Sequence, residues 1–185
     1  MRAFIAIDLD AILKTNLAAF IDELRPLGGD IRWVRLPGMH LTLKFLGEIA
    51  EGNVGKIAGV LEETAGHHPN FNLRLIGTGV FPPGTRAPRV LWIGIAENPQ
   101  LFALQADVDR GLEILGFERE KRDYHPHLTI GRVKTPSRLE KLLTELAGSG
   151  DRAFGEMNVH KLTLFQSLLK PSGAEYRALA EFRLG

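Results

Sequence analysis

Met39-His40-Leu41-Thr42-Leu43-Lys44-Phe45 and Pro126-His127-Leu128-Thr129-Ile130 are two copies of one phrase, and reading them together decides the fold. In each, a histidine and a threonine stand two apart within an alternating apolar context. Residues two apart on a strand point to the same face. His40 and Thr42 therefore share one face, as do His127 and Thr129, while Leu41, Leu43, Leu128 and Ile130 turn to the core. The copies are separated by 127 − 40 = 87 residues.

The same offset lays Arg2-Ala3-Phe4-Ile5-Ala6-Ile7 over Arg89-Val90-Leu91-Trp92-Ile93-Gly94, two short apolar runs that read as strands. A helical pattern follows each. Leu13, Leu17, Phe20 and Leu24 recur at spacings of three or four in the first, and Leu101, Leu104, Val108, Leu112 and Leu115 in the second. Pro26 with Gly28-Gly29 ends the first helix, and Gly116 ends the second. Beyond each motif come a second helical segment (54–63 and 137–146) and a hairpin. The hairpins turn at Pro82-Pro83-Gly84 and at Pro171-Ser172-Gly173. Strand, helix, motif strand, helix and hairpin thus occur twice in the same order.

A repeat this long, in two copies, predicts two lobes related by a pseudo-twofold axis rather than a solenoid. The expected fold is α+β: residues 1–185 as a single domain of two similar lobes, with two largely antiparallel sheets lining a central cleft and helices outside.

Two His-x-Thr strands facing one cleft suit the opening of a cyclic phosphodiester. That reaction needs a base to take a proton from attacking water and an acid to protonate the departing alkoxide, on opposite sides of phosphorus. Imidazoles, with an ordinary pKa of ~6.5, can supply both forms near neutrality. Threonine hydroxyls can donate hydrogen bonds to the non-bridging oxygens. The scheme calls for no metal and no cofactor.

Composition permits this without announcing it. The net charge is +1, with basic residues gathered at Arg32, Arg35 and Lys44, at Arg86 and Arg89, and at Arg119, Lys121, Arg122, Arg132 and Lys134. Absence of cysteine excludes disulfides, thiolate nucleophiles and cysteine-bound zinc. No run approaches the ~20 apolar residues of a membrane span, and a cytoplasmic location is the simple expectation.

On these residues the chain resembles the two-histidine phosphoesterases, and specifically the bacterial and archaeal RNA 2′,3′-cyclic phosphodiesterases, also called 2′-5′ RNA ligases. The likeness runs through Arg2–Ile7, Trp33-Val34, His40-Leu41-Thr42-Leu43-Lys44-Phe45-Leu46-Gly47-Glu48, Arg86–Trp92, Pro126–Arg132 and Ser167–Tyr176. It implies a bilobal α+β fold and hydrolysis of RNA 2′,3′-cyclic phosphate ends to 2′-phosphates. Reversible, ATP-independent 2′-5′ joining is implied as well. It also implies His40 as the acid and His127 as the base, with Thr42 and Thr129 on the phosphate. The expected partner is RNA with cyclic ends, including tRNA fragments or nucleotides, with no membrane and no obligate protein partner. A non-catalytic RNA or nucleotide binding module using the same cleft is the alternative.

Other residues carry weaker expectations. Arg132 is a candidate phosphate contact, but strict alternation from His127 puts it on the wrong face unless the strand bulges near Gly131. Lys44, two beyond Thr42, should lie at the cleft edge as a solvated side chain. His125 makes a His-x-His spacing with His127, without the Asp, Glu or Cys that would complete a metal site. His67 and His68 read as the surface end of a helix, and His160 as structural. Phe45, Trp33 and Trp92 are candidates for base stacking, with core or rim packing the simpler account.

Overall fold

The computed structural model describes residues 1–170 and 173–185, so the turn residues Pro171 and Ser172 lie outside the described part. Among the described residues, nine strands form two antiparallel sheets. The first is built from β1 (Arg2–Asp8), β3 (His40–Glu48), β8 (Lys161–Lys170) and β9 (Gly173–Arg183), in the order β3-β1-β8-β9. The second is built from β2 (Asp30–Trp33), β4 (Phe71–Phe81), β5 (Val90–Ile95), β6 (His127–Thr135) and β7 (Ala153–Val159), in the order β2-β6-β5-β4-β7. Four α-helices of the described residues complete the fold: α1 (Ala11–Leu24), α2 (Val54–Gly66), α3 (Pro99–Gly111) and α4 (Glu140–Gly148).

Local chemistry sets the helix ends. The carboxylate of Asp10 accepts from the Leu13 amide at 2.8 Å, and the Asn98 side chain accepts from the Leu101 amide at 3.0 Å. Each satisfies a donor that the first helical turn leaves free. Pro99 opens α3, where its missing N–H costs nothing. Gly116, at φ 85°, closes the turn after α3 in the left-handed conformation that glycine adopts without strain.

Three strands of each sheet follow a matching order. Opening strand, motif strand and hairpin strand line up as β3-β1-β8 in one sheet and β6-β5-β4 in the other. Yet β8 comes from the second half of the chain and completes the first half's sheet, while β4 does the reverse. The two halves exchange their hairpin strands, so each sheet depends on both. Nothing in the order of elements along a sequence specifies such an exchange.

Alternation then sorts the side chains. Ile5, Ile7, Leu41, Leu43, Leu162 and Leu164 from one sheet join Leu91, Ile93, Leu128 and Ile130 from the other in a single buried cluster. Leu13, Leu17, Phe20, Leu61, Leu104 and Leu142 of the helices complete it. A second small cluster of Phe4, Ala6 and Phe165, capped by Tyr176, lies on the opposite face of the first sheet. That opposite face is where His40 projects.

Candidate active site

Both motif strands depart from strict alternation at the same place in the repeat. In β3, Ala6 pairs with Thr42 and Ile5 with Lys44, leaving Leu43 as an extra residue. In β6, Trp92 pairs with Thr129 and Leu91 with Gly131, leaving Ile130 extra. The two bulges are separated by 130 − 43 = 87 residues, the repeat offset. A bulge reverses the facing of everything beyond it. Two of the expectations turn on this.

Arg132 is carried by the bulge onto the same face as His127 and Thr129, which is the condition its candidacy required. The glycine before it has a reason of its own. A side chain on Gly131 would stand 2.8 Å from Ile31 Cγ2 and 3.2 Å from Trp33 Cε3. Trp33 thus packs on the core side and is not a stacking surface.

Lys44 moves the other way, and the expectation of a solvated lysine is corrected. It turns inward, is 8% exposed, and forms an ion pair with Asp109 of α3 while donating to the Glu118 carbonyl at 2.8 Å. Asp109 also accepts from the Glu120 amide at 3.2 Å. Tyr124, further along the same segment, donates to the Thr42 carbonyl at 2.9 Å. Burial raises the Tyr124 phenol above its ordinary pKa, so it stays a donor. The chain entering the second motif is thereby tied to the first motif strand. A second correction is His68, which is buried and pairs with Asp107 at 2.9 Å rather than lying on the surface.

β3 and β6 belong to different sheets but contact one another, which brings the two motif strands together. The two histidines sit in unlike surroundings. His40 is ringed by Phe4, Tyr176 and Phe165, with ring centroids 4.7, 4.9 and 5.8 Å away. This apolar cage lowers its pKa from 6.5 to about 4, against a smaller opposing pull from Asp8. His127 is exposed, and its Nδ1 lies 2.7 Å from the His125 carbonyl oxygen. A carbonyl can only accept, so Nδ1 carries the hydrogen and Nε2 is the free nitrogen. His125 serves through its backbone. Among the described residues, no three His, Asp or Glu side chains are grouped to hold a metal ion, and no helix is long and apolar enough to cross a membrane.

The cage around His40 predicts a pH effect on stability. Between pH 6.5 and about 4, the unfolded chain binds a proton that the folded His40 refuses. The stabilisation is therefore complete above pH 6.5 and is lost as pH falls through that window, by at most about 3 kcal/mol. In urea unfolding, the advantage of the native protein over His40→Asn should shrink between pH 7 and pH 4. A difference that does not change with pH would contradict the cage.

Phe165 and Tyr176 are not legible in the sequence as neighbours of His40, since β8 and β9 join this sheet only through the strand exchange, and the order of the elements does not pair Phe4 with it either. Trp92 does face the site, with its ring centroid 6.3 Å from that of His127 and its indole laid across Gly79. Phe45 is on the same side of its own sheet and is 72% exposed.

A pair of bulged His-Thr strands in contact, one from each of two sheets, is the pattern of the two-histidine phosphoesterases. A profile of the 2′-5′ RNA ligase superfamily matches residues 13–170, and the chain belongs to that family. It is 37% identical to an RNA 2′,3′-cyclic phosphodiesterase of Methanothermobacter thermautotrophicus, covering 100% of this chain and 99% of the relative. The corresponding protein of Archaeoglobus fulgidus is 36% identical, over 98% of this chain and 99% of its own. Among solved structures, TT0787 of Thermus thermophilus superposes with a TM-score of 0.85 at 29% identity, covering 100% and 98% of the two chains. Escherichia coli LigT complexed with 3′-AMP gives a TM-score of 0.78 at 25% identity, covering 99% and 97%.

Proposed function

We propose that this chain hydrolyses the 2′,3′-cyclic phosphate ends of RNA to 2′-phosphate ends by acid–base catalysis between His40 and His127, without a metal ion. The observation that carries the reading is the contact between the two bulged His-Thr strands, one from each sheet. The activity for which the full-length relatives are named is its independent support.

In this reading His127 is the base. Its Nδ1–H is held by the His125 carbonyl, leaving the Nε2 lone pair to take a proton from water. The water oxygen adds to phosphorus, the P–O3′ bond breaks in line with it, and His40 delivers a proton to O3′. Burial among the aromatic rings favours the neutral form of His40. An anionic phosphate entering the cage raises its affinity for a proton, so the acid is formed where it is used. Thr42 and Thr129 donate to the non-bridging oxygens, where negative charge grows, and Arg132 adds a cation on the same face. If an RNA 5′-hydroxyl takes the place of water, the same displacement gives a 2′-5′ linkage without ATP. Suitable ends occur on nucleotides and on tRNA fragments. The reaction requires no membrane and no protein partner, and a cytoplasmic location fits it.

The test is a ³¹P NMR time course on an oligonucleotide ending in a 2′,3′-cyclic phosphate. The cyclic signal should give way to a 2′-monoester. Tight binding with no product after long incubation would identify a binding module instead, and a 3′-monoester would mean that the other P–O bond breaks.

A further inference from the structure

Arg32 and Arg132 stand directly opposite each other on β2 and β6. The same rung continues through Val90 on β5 to Phe81 on β4. The neighbouring rung of Trp33, Gly131 and Leu91 faces the core, which puts both arginines on the side of Thr129 and His127. Both are exposed.

Two like charges directly opposite on adjacent strands disfavour the sheet, and the fold leaves these two uncompensated. The arginines that form ion pairs among the described residues are Arg25, Arg110, Arg119 and Arg152. Asp30, the acidic residue of β2, is engaged by Lys134 at 3.6 Å. The bulge at Ile130 is what aligns Arg132 with Arg32 on this face. Arg132 stands three positions beyond Thr129, about 10 Å along the strand, with Arg32 beside it on β2. Guanidinium forks match phosphate oxygens, and two from adjacent strands can hold one phosphate between them.

The matching position in the first motif strand, 132 − 87 = 45, is Phe45, 72% exposed. One side of the site thus offers an aromatic face suited to a base, and the other offers two cations suited to backbone. The repeat is symmetric in its catalytic pairs and asymmetric just beyond them.

We propose that Arg32, together with Arg132, clamps the phosphodiester immediately upstream of the cyclic end, so that oligonucleotide ends are favoured over cyclic mononucleotides. This rests on the hydrolytic reading above and adds Arg32 as a residue that sets substrate length. A cyclic mononucleotide has no such phosphodiester to offer.

The test compares kcat/KM for 2′,3′-cyclic AMP and for the dinucleotide ApA carrying a 2′,3′-cyclic phosphate, in the native protein, Arg32→Ala and Arg32→Lys. The native ratio of dinucleotide to mononucleotide should exceed one and fall about ten- to hundredfold in Arg32→Ala. Arg32→Lys, which keeps the charge and loses the fork, should fall between. The salt dependence of kcat/KM for the dinucleotide should flatten by ~0.7 in log–log slope in Arg32→Ala, the value of one single-strand phosphate contact. An unchanged ratio, or equal losses on both substrates with unaltered melting temperature, would overturn the proposal while leaving hydrolysis standing. Failure of the native protein to turn over either substrate would instead overturn the hydrolytic reading and this inference with it.

Discussion

His127→Ala and His40→Ala should each lower kcat for a 2′,3′-cyclic end by about 10²–10⁴-fold, the usual contribution of a positioned proton-transfer group. The two should differ in their effect on the fold. His127 is exposed, with a single hydrogen bond to its own segment, so its removal should leave the unfolding midpoint unchanged. His40 packs against three aromatic rings, so His40→Ala opens space among them and should lower stability measurably while the protein still folds. The double variant should be little worse than the poorer single one, as the proposed sharing of one transition state requires. Full activity in either variant would remove that histidine from the mechanism.

The largest expected effect on stability lies behind the site. Lys44 and Asp109, with side chains 7% and 8% exposed, form a charge pair between the first motif strand and α3. Removing one partner leaves the other charged and buried, which costs about 3–5 kcal/mol. That is a large share of the ~5–15 kcal/mol that holds a typical domain together. Lys44→Ala should therefore shift the urea midpoint far down. Lys44→Met combined with Asp109→Leu should recover much of the loss, since it removes both charges and keeps the volume. Recovery should be incomplete, because the Glu118 carbonyl and the Glu120 amide lose their partners. A Lys44→Ala protein within about 1 kcal/mol of the native one would show that Asp109 does not need its lysine.

The fate of Lys44 shows where sequence reading stops. Period-two alternation correctly placed His with Thr and Leu with the core, because within each motif the strand is regular. It then put Lys44 outside and left Arg132 in doubt, since alternation cannot reveal an extra residue. Setting the copies side by side holds the missing clue: Lys44 lies over Gly131 and Phe45 over Arg132. A lysine matched to a glycine suits a position beyond a bulge, where one side chain must bury and the other must vanish against Ile31 and Trp33. The cage around His40 was not legible at all. Phe165 and Tyr176 lie more than a hundred residues away and reach His40 only because the halves exchange strands.

The exchange also bears on folding. Because β8 closes the first sheet and β4 the second, each motif strand lies in a sheet completed by the other half of the chain. The placing of each motif strand is thus a product of the whole fold.

The most direct measurement is the rate at which the native protein converts an RNA 2′,3′-cyclic end to a 2′-phosphate in excess EDTA. Two imidazoles acting alone predict the same rate with and without the chelator. Loss of activity in EDTA, restored by adding back a divalent metal, would contradict the account.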